Sequence, residues 1–198
     1  MTAQASGRVL TVPNAVSLVR LLGVPLFLYL FLGPHEYGWA VAVLAIGGTS
    51  DWVDGYLARR LGQVSRLGEL LDPFADRLYI LATLVAFTAG GVVSWLFTAA
   101  LLLRDVLLTG CLALVRRAGY GPLPVHYLGK TATFILLFGF PVLLLAKASP
   151  GAAPVAGPIG WALAWWGLSL YWAAGVLYVI QTVRLVRAAP AARETAKA

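Results

Sequence analysis

The chain has 198 residues, 60% of them hydrophobic and only 12% charged, with a mean hydropathy of +0.83. A domain of this size cannot cover itself with so little polar surface, so a soluble globular protein is excluded and an all-α integral membrane protein is expected. The net charge of +7 is spread over connecting segments without an aromatic stacking platform, which argues against a nucleic-acid partner and suits anionic lipid headgroups.

Apolar stretches follow one another over approximately 15–33, 38–58, 72–90, 92–115, 127–147 and 158–183. Each is near the ~20 residues that a helix needs to cross a hydrocarbon core. They are too long for barrel strands and show no period-two alternation, so a six-transmembrane-helix bundle is predicted. The first stretch follows a short segment whose only charge is Arg8, and no small-residue cleavage site comes after it, so it is expected to remain as a helix. Pro150, Pro154 and Pro158 predict a loop over 148–160, and residues 188–198 are expected to fray. With no internal repeat and no long linker, residues 1–198 are expected to form a single domain. The lone cysteine, Cys111, sits in an apolar run and excludes both an intramolecular disulfide framework and a cysteine zinc site.

Positive charge falls on alternate connections: Arg8, then Arg59, Arg60 and Arg66, then Arg116, Arg117 and Lys130, then Arg184, Arg187, Arg193 and Lys197. The other three connections, near 33–38, 89–93 and 147–157, offer only Lys147. The positive-inside rule therefore predicts that both termini face the cytoplasm, in what is expected to be a bacterial inner membrane. Trp39, Trp95, Tyr120 and Tyr127 near the helix ends fit interfacial belts, whereas Trp161, Trp165 and Trp166 are expected to pack against lipid or a second subunit.

Half of the eight acidic residues, Asp51, Asp54, Asp72 and Asp76, fall within 26 positions of this apolar chain. A single charged side chain near the bilayer centre costs roughly 2.5 to 3.5 kcal/mol, so four carboxylates need compensation, and a polyvalent cation supplies it. On a helix, Asp51, Asp54, Gly55 and Ala58 share one stripe at i, i+3, i+4 and i+7, and Gly68, Asp72 and Asp76 share another at i, i+4 and i+8. Small residues beside the carboxylates let a bulky ligand approach the backbone. Carboxylate oxygens suit hard cations, and Mg2+ in particular completes its shell with water and substrate phosphates. Arg59, directly after the first stripe, can hold a phosphate bidentately.

The full pattern, Asp51-x2-Asp54-Gly55-x2-Ala58-Arg59-x8-Gly68-x3-Asp72-x3-Asp76, resembles at every fixed position the signature of the CDP-alcohol phosphotransferase (CDP-alcohol phosphatidyltransferase) family. The resemblance implies a six-helix membrane domain over nearly the whole chain, and transfer of a phosphoryl-alcohol group from a CDP-linked donor to an alcohol with release of CMP. It further implies that Asp51, Asp54, Asp72 and Asp76 bind two divalent cations, Mg2+ or Mn2+. Gly55, Ala58, Arg59 and Gly68 would surround the cytidine diphosphate, and Asp76 would also take the acceptor hydroxyl's proton. The active site would be cytoplasmic, and a homodimer is an assembly that the resemblance allows.

Smaller features bear on the acceptor. Val12-Pro13-Asn14, Ser17, Arg20 and Pro25, with Asp72-Pro73-Phe74-Ala75-Asp76, resemble the branch that makes phosphatidylglycerophosphate or cardiolipin. Arg104-Asp105 in the fourth stretch, and Gly129-Lys130-Thr131-Ala132-Thr133 without a second lysine, look more like its cardiolipin synthases. Loss of a cation suits a phosphodiester acceptor over the more highly charged glycerol 3-phosphate. The expected reaction therefore joins CDP-diacylglycerol to phosphatidylglycerol, with glycerol 3-phosphate as the alternative acceptor.

Arg20, Arg66, Arg104 and Lys130 are candidates for the acceptor phosphate. Each has a plainer role open to it: Arg20 and Arg104 can snorkel, Arg104 can pair with Asp105, and Arg66 and Lys130 can anchor helix ends at headgroups. His35 and His126 are read as non-catalytic. An ion-coupled transporter also places acids in membrane helices, but the chain shows no inverted repeat and no broken helix pair.

Overall fold

The computed structural model describes residues 12–61, 66–117, 119 and 127–195, with side chains placed over 18–50, 77–117 and 127–187. Six helices run through these residues: α1 Val12–Leu32, α2 Tyr37–Leu61, α3 Arg66–Ala89, α4 Trp95–Arg117, α5 Tyr127–Ala148 and α6 Ala153–Thr195. No strand occurs among the described residues. Each apolar stretch expected from the sequence coincides with one helix. Three ends differ most: α3 begins at Arg66, ahead of its apolar run, and α6 extends in both directions.

Within the described residues, α4, α5 and the Ala153–Arg187 part of α6 are long and apolar enough to cross a membrane, and the apolar parts of α1 to α3 are shorter. Large apolar side chains cover the exterior, among them Leu22, Tyr29, Val106 and Trp166, each more than 60% exposed. Water does not tolerate that much apolar surface, but lipid does. The chain is a membrane protein whose described secondary structure is all helical.

The chain folds as two compact units, Met1–Ser94 with Phe138–Trp161, and Trp95–Leu137 with Ala162–Ala198. In the first unit, α1 packs against α2 and α3. Arg20, Val24, Phe27 and Phe31 recur at i, i+4, i+7 and i+11, and all four are buried. Phe31 and Phe87 stand 5.7 Å apart between ring centroids, Phe27 lies 5.6 Å from Phe31, and Phe140 meets Phe87 edge-on at 5.7 Å. Lipid tails are as apolar as phenylalanine, so this cluster is held by close packing and ring geometry more than by exclusion of water. Gly90 makes the packing possible, since a Cβ there would fall 2.6 Å from the Phe31 ring.

The end of α3 follows from Gly91, at φ +68°. Its N–H donates to the Thr88 carbonyl at 3.2 Å while that of Val92 donates to Phe87 at 2.8 Å, a Schellman closure that satisfies the last carbonyls. Lys147 Nζ donates to the Gly90 carbonyl and lies 5.1 Å from the centroid of the Tyr37 ring. His35, at φ +58°, sets its Nδ1 3.1 Å from the Phe31 carbonyl, at the opposite end of α1 and α2 from the acidic motif.

The expected loop over 148–160 is shorter in the structure, because α6 already starts at Ala153. The Ala152 carbonyl accepts from Val155 and Ala156, so Pro154 sits in the first turn, where a missing N–H leaves nothing unpaired. α6 also continues through Thr195, across residues expected to fray, in a stretch rich in alanine and arginine.

In the second unit, Phe97, Leu101 and Arg104 form the buried stripe of α4 at i, i+4 and i+7. Phe97 meets Trp165 of α6 edge-on at 5.6 Å. A Cβ on Gly167 would fall 2.7 Å from Leu136 Cγ, so α5 and α6 approach at a small residue, as membrane helices do.

Candidate active site

Asp51, Asp54, Gly55, Ala58 and Arg59 lie on the last three turns of α2, and Arg66, Gly68, Asp72 and Asp76 on the first three turns of α3. Their side chains lie outside the described residues, as do His126 and Tyr120. Both helices run unbroken through the motif, so the stripes inferred from spacing are realised in the backbone.

Described side chains adjoin these stripes. Arg20 of α1 is 3% exposed, and its Nε donates to Ser50 Oγ at 3.4 Å, one residue before Asp51. Ser50 Oγ in turn donates to the Gly47 carbonyl at 2.8 Å. Tyr79 follows Asp76 by three residues on α3, and its hydroxyl donates to the Leu44 carbonyl of α2 at 2.7 Å. The ring reaches α2 because Gly47 has no side chain: a Cβ there would fall 2.6 Å from Tyr79 Oη. The Thr83 hydroxyl donates to the Tyr79 carbonyl at 2.8 Å. Three helices thus meet at the motif's edge through polar contacts that apolar surroundings strengthen.

Of the four expected acceptor contacts, Arg20 is the one whose described side chain is brought to the edge of the motif. Arg104 belongs to the second unit and is also buried, at 5% exposure. Its Nη1 donates to Asp105 Oδ1 at 3.1 Å and its Nε to the Tyr171 carbonyl at 3.3 Å. The guanidinium lies 3.7 Å from the centroid of the Tyr171 ring, whose hydroxyl donates to Asp105 Oδ1 at 2.5 Å. The Arg104 to Asp105 pairing weighed from the sequence is therefore present, with Tyr171 as a third member 66 residues away. An apolar groove lined by Leu107, Leu108, Trp172, Val176 and Val179 opens beside it. Lys130 is exposed at the start of α5, while the neighbouring Gly129 faces Arg104, where a Cβ would lie 3.7 Å from Nη2.

Sequence reasoning missed Ser50, Tyr79 and Tyr171. Tyr79 carried a signal, because it continues the Asp72, Asp76 stripe by one more turn; Tyr171 carried none.

A helical membrane protein with this acidic pattern on consecutive helices belongs to the class of enzymes that act on CDP-linked alcohols. The chain belongs to the CDP-alcohol phosphatidyltransferase family, whose model matches residues 10–177. It is 53% identical to a cardiolipin synthase (CMP-forming) of Streptomyces coelicolor over 196 residues, which covers 96% of this chain and 91% of that protein. It is 48% identical to a putative cardiolipin synthase of Mycobacterium tuberculosis over 183 residues, 92% of this chain and 88% of the relative. A CDP-diacylglycerol–glycerol-3-phosphate 3-phosphatidyltransferase of Bacillus subtilis is 32% identical over 147 residues, 67% of this chain and 76% of that one. The protein is thus a transferase of phospholipid biosynthesis.

Proposed function

We propose that this enzyme transfers the phosphatidyl group of CDP-diacylglycerol to the hydroxyl of phosphatidylglycerol, forming cardiolipin and releasing CMP. The observation that carries the choice of acceptor is the near-full-length similarity, at 53% and 48% identity, to proteins named as cardiolipin synthases. The relative that uses glycerol 3-phosphate is more distant, at 32% over two thirds of the chain.

The residues present fit a pair of divalent cations: four carboxylates occupy stripe positions on two unbroken helices, and their hard oxygens suit Mg2+ or Mn2+. Asp51, Asp54, Asp72 and Asp76 would hold these ions, which when bound supply charge neutralisation to the diphosphate. Gly55, Ala58 and Gly68 leave room for the cytidine diphosphate, and Arg59 orients it through a bidentate phosphate contact. Asp76 accepts the proton of the acceptor hydroxyl. The hydroxyl oxygen forms a bond to the phosphatidyl phosphorus, the P–O bond to CMP breaks, and CMP leaves with the bonding pair. Arg20 and Arg66 are assigned to the acceptor's phosphodiester.

In this reading the six helices all span the inner membrane, the termini and the active site face the cytoplasm, and a homodimer is an assembly that it allows. The purified protein, given CDP-diacylglycerol and divalent metal, should release CMP and form cardiolipin with phosphatidylglycerol. Phosphatidylglycerophosphate formed from glycerol 3-phosphate, with no product from phosphatidylglycerol, would replace this reading with the alternative acceptor.

A further inference from the structure

We propose that Tyr79, seated on Gly47, is a positioning residue that sets the register of α2 against α3 and so the geometry of the carboxylate stripes. This rests on the reading of Asp51, Asp54, Asp72 and Asp76 as a cation site.

The placement follows from helical spacing. On α2, Leu44, Gly47, Asp51 and Asp54 recur at i, i+3, i+7 and i+10, within one narrow face; on α3, Asp72, Asp76, Tyr79 and Thr83 recur at i, i+4, i+7 and i+11. The Tyr79 hydroxyl donates to the Leu44 carbonyl at 2.7 Å and stands 3.4 Å from that of Val43. Its position is thus defined against two successive carbonyls of α2. Tyr79 lies one turn from Asp76 on α3, and on α2 Gly47 lies one turn and Leu44 two turns from Asp51.

Its neighbours leave the tyrosine little freedom. It is 6% exposed, and the Cβ of any other residue at position 47 would fall 2.6 Å from Oη and 2.7 Å from Cε2. Sliding α3 by one residue would move Tyr79 by about 1.5 Å along the axis, enough to break a bond of this length. A cation site demands such definition, because Mg2+ requires near-ideal octahedral geometry. Leucine or phenylalanine would fill the same volume without reading the α2 backbone. A tyrosine that only filled space would not need its hydroxyl aimed at one carbonyl, nor a glycine opposite.

The test compares Tyr79→Phe and Gly47→Ala with Gly160→Ala, whose added Cβ would meet Leu143 at 2.9 Å in the same unit, away from the acidic motif. The purified full-length protein is titrated with Mn2+ alone, and the free ion is followed by electron paramagnetic resonance. CMP release against metal concentration and thermal stability are measured in parallel. Tyr79→Phe should weaken Mn2+ binding about fivefold, the scale of one lost hydrogen bond, while maximal turnover at saturating metal stays within about twofold. Gly47→Ala should weaken it further, and Gly160→Ala should lower thermal stability with Mn2+ binding unmoved. An unaltered Mn2+ curve in Tyr79→Phe, or an equal shift in Gly160→Ala, overturns the positioning role alone. Metal-independent turnover and no Mn2+ binding in the unaltered protein would overturn the cation-site reading, and this proposal with it.

Discussion

Charge inside apolar helices is handled in two contrasting ways in this molecule. In the second unit, Arg104, Asp105 and Tyr171 form a closed network: guanidinium to carboxylate at 3.1 Å, hydroxyl to carboxylate at 2.5 Å, ring beneath guanidinium. In the first unit the motif sets four aspartates on two stripes, with Arg20, Ser50 and Tyr79 at its border. A cation and an anion side by side neutralise each other within the fold, whereas several carboxylates in one motif require positive charge from elsewhere. The closed network settles its charges within the fold, whereas the acidic motif is proposed to draw its counter-charge from a bound cation.

The sharpest way to break this contrast is at the carboxylates. Asp51→Asn, Asp54→Asn and Asp72→Asn should each lower CMP release at least about 100-fold with little change in thermal stability. Asp76→Asn should cost about 1,000-fold while CDP-diacylglycerol binding survives, since it also removes the proton acceptor. Near-normal turnover in any of the first three would sink the two-cation assignment. Chelation should likewise abolish turnover, and added Mg2+ or Mn2+ should restore it.

Arg104→Ala should show the opposite profile, because it leaves Asp105 with only the Tyr171 hydroxyl and no neighbouring cation, and removes the side-chain donor to the Tyr171 carbonyl. The Arg104 side chain is 6% exposed but that of Asp105 is 34% exposed, so solvent shares the load. A loss of about 2 kcal/mol, read from thermal denaturation in detergent, is expected. If stability is unchanged while the KM for phosphatidylglycerol rises, Arg104 is an acceptor contact instead. Gly167→Ala, which pushes a methyl against Leu136, should cost about 1 to 2 kcal/mol with turnover preserved in the surviving folded protein. Tyr171→Phe keeps the ring beneath Arg104 and loses one hydroxyl, so about 1 kcal/mol of stability and no change in metal dependence should be seen.

Much of the architecture is legible in the order of the residues. Stretches of about 20 apolar residues have few ways to satisfy their backbone in lipid, so α1, α2, α4 and α5 begin and end within three residues of their apolar runs. α3 starts earlier than its apolar run because its first turns carry the charged part of the motif, which hydropathy reads as loop. α6 outruns its apolar stretch at both ends, because a proline in a first turn and polar residues in a last one look like helix breakers without being so. Arg104-Asp105 stands out as a pair, but its meaning depends on a tyrosine 66 residues away.

By itself the sequence determined that this is a helical membrane protein, and its spacing of acids is what points the proposed chemistry to the segment from Asp51 to Asp76. Hydropathy and charge act on each residue where it stands, and the spacing of acids along a helix is fixed by about 3.6 residues per turn. Only the tertiary structure decided that Tyr79 ties α3 to Leu44 over Gly47, that Arg20 reaches Ser50, and that Tyr171 completes the Arg104 network. Those contacts join residues 30 or more positions apart, and packing between helices, unlike periodicity along one, leaves no regular trace in the order of the residues.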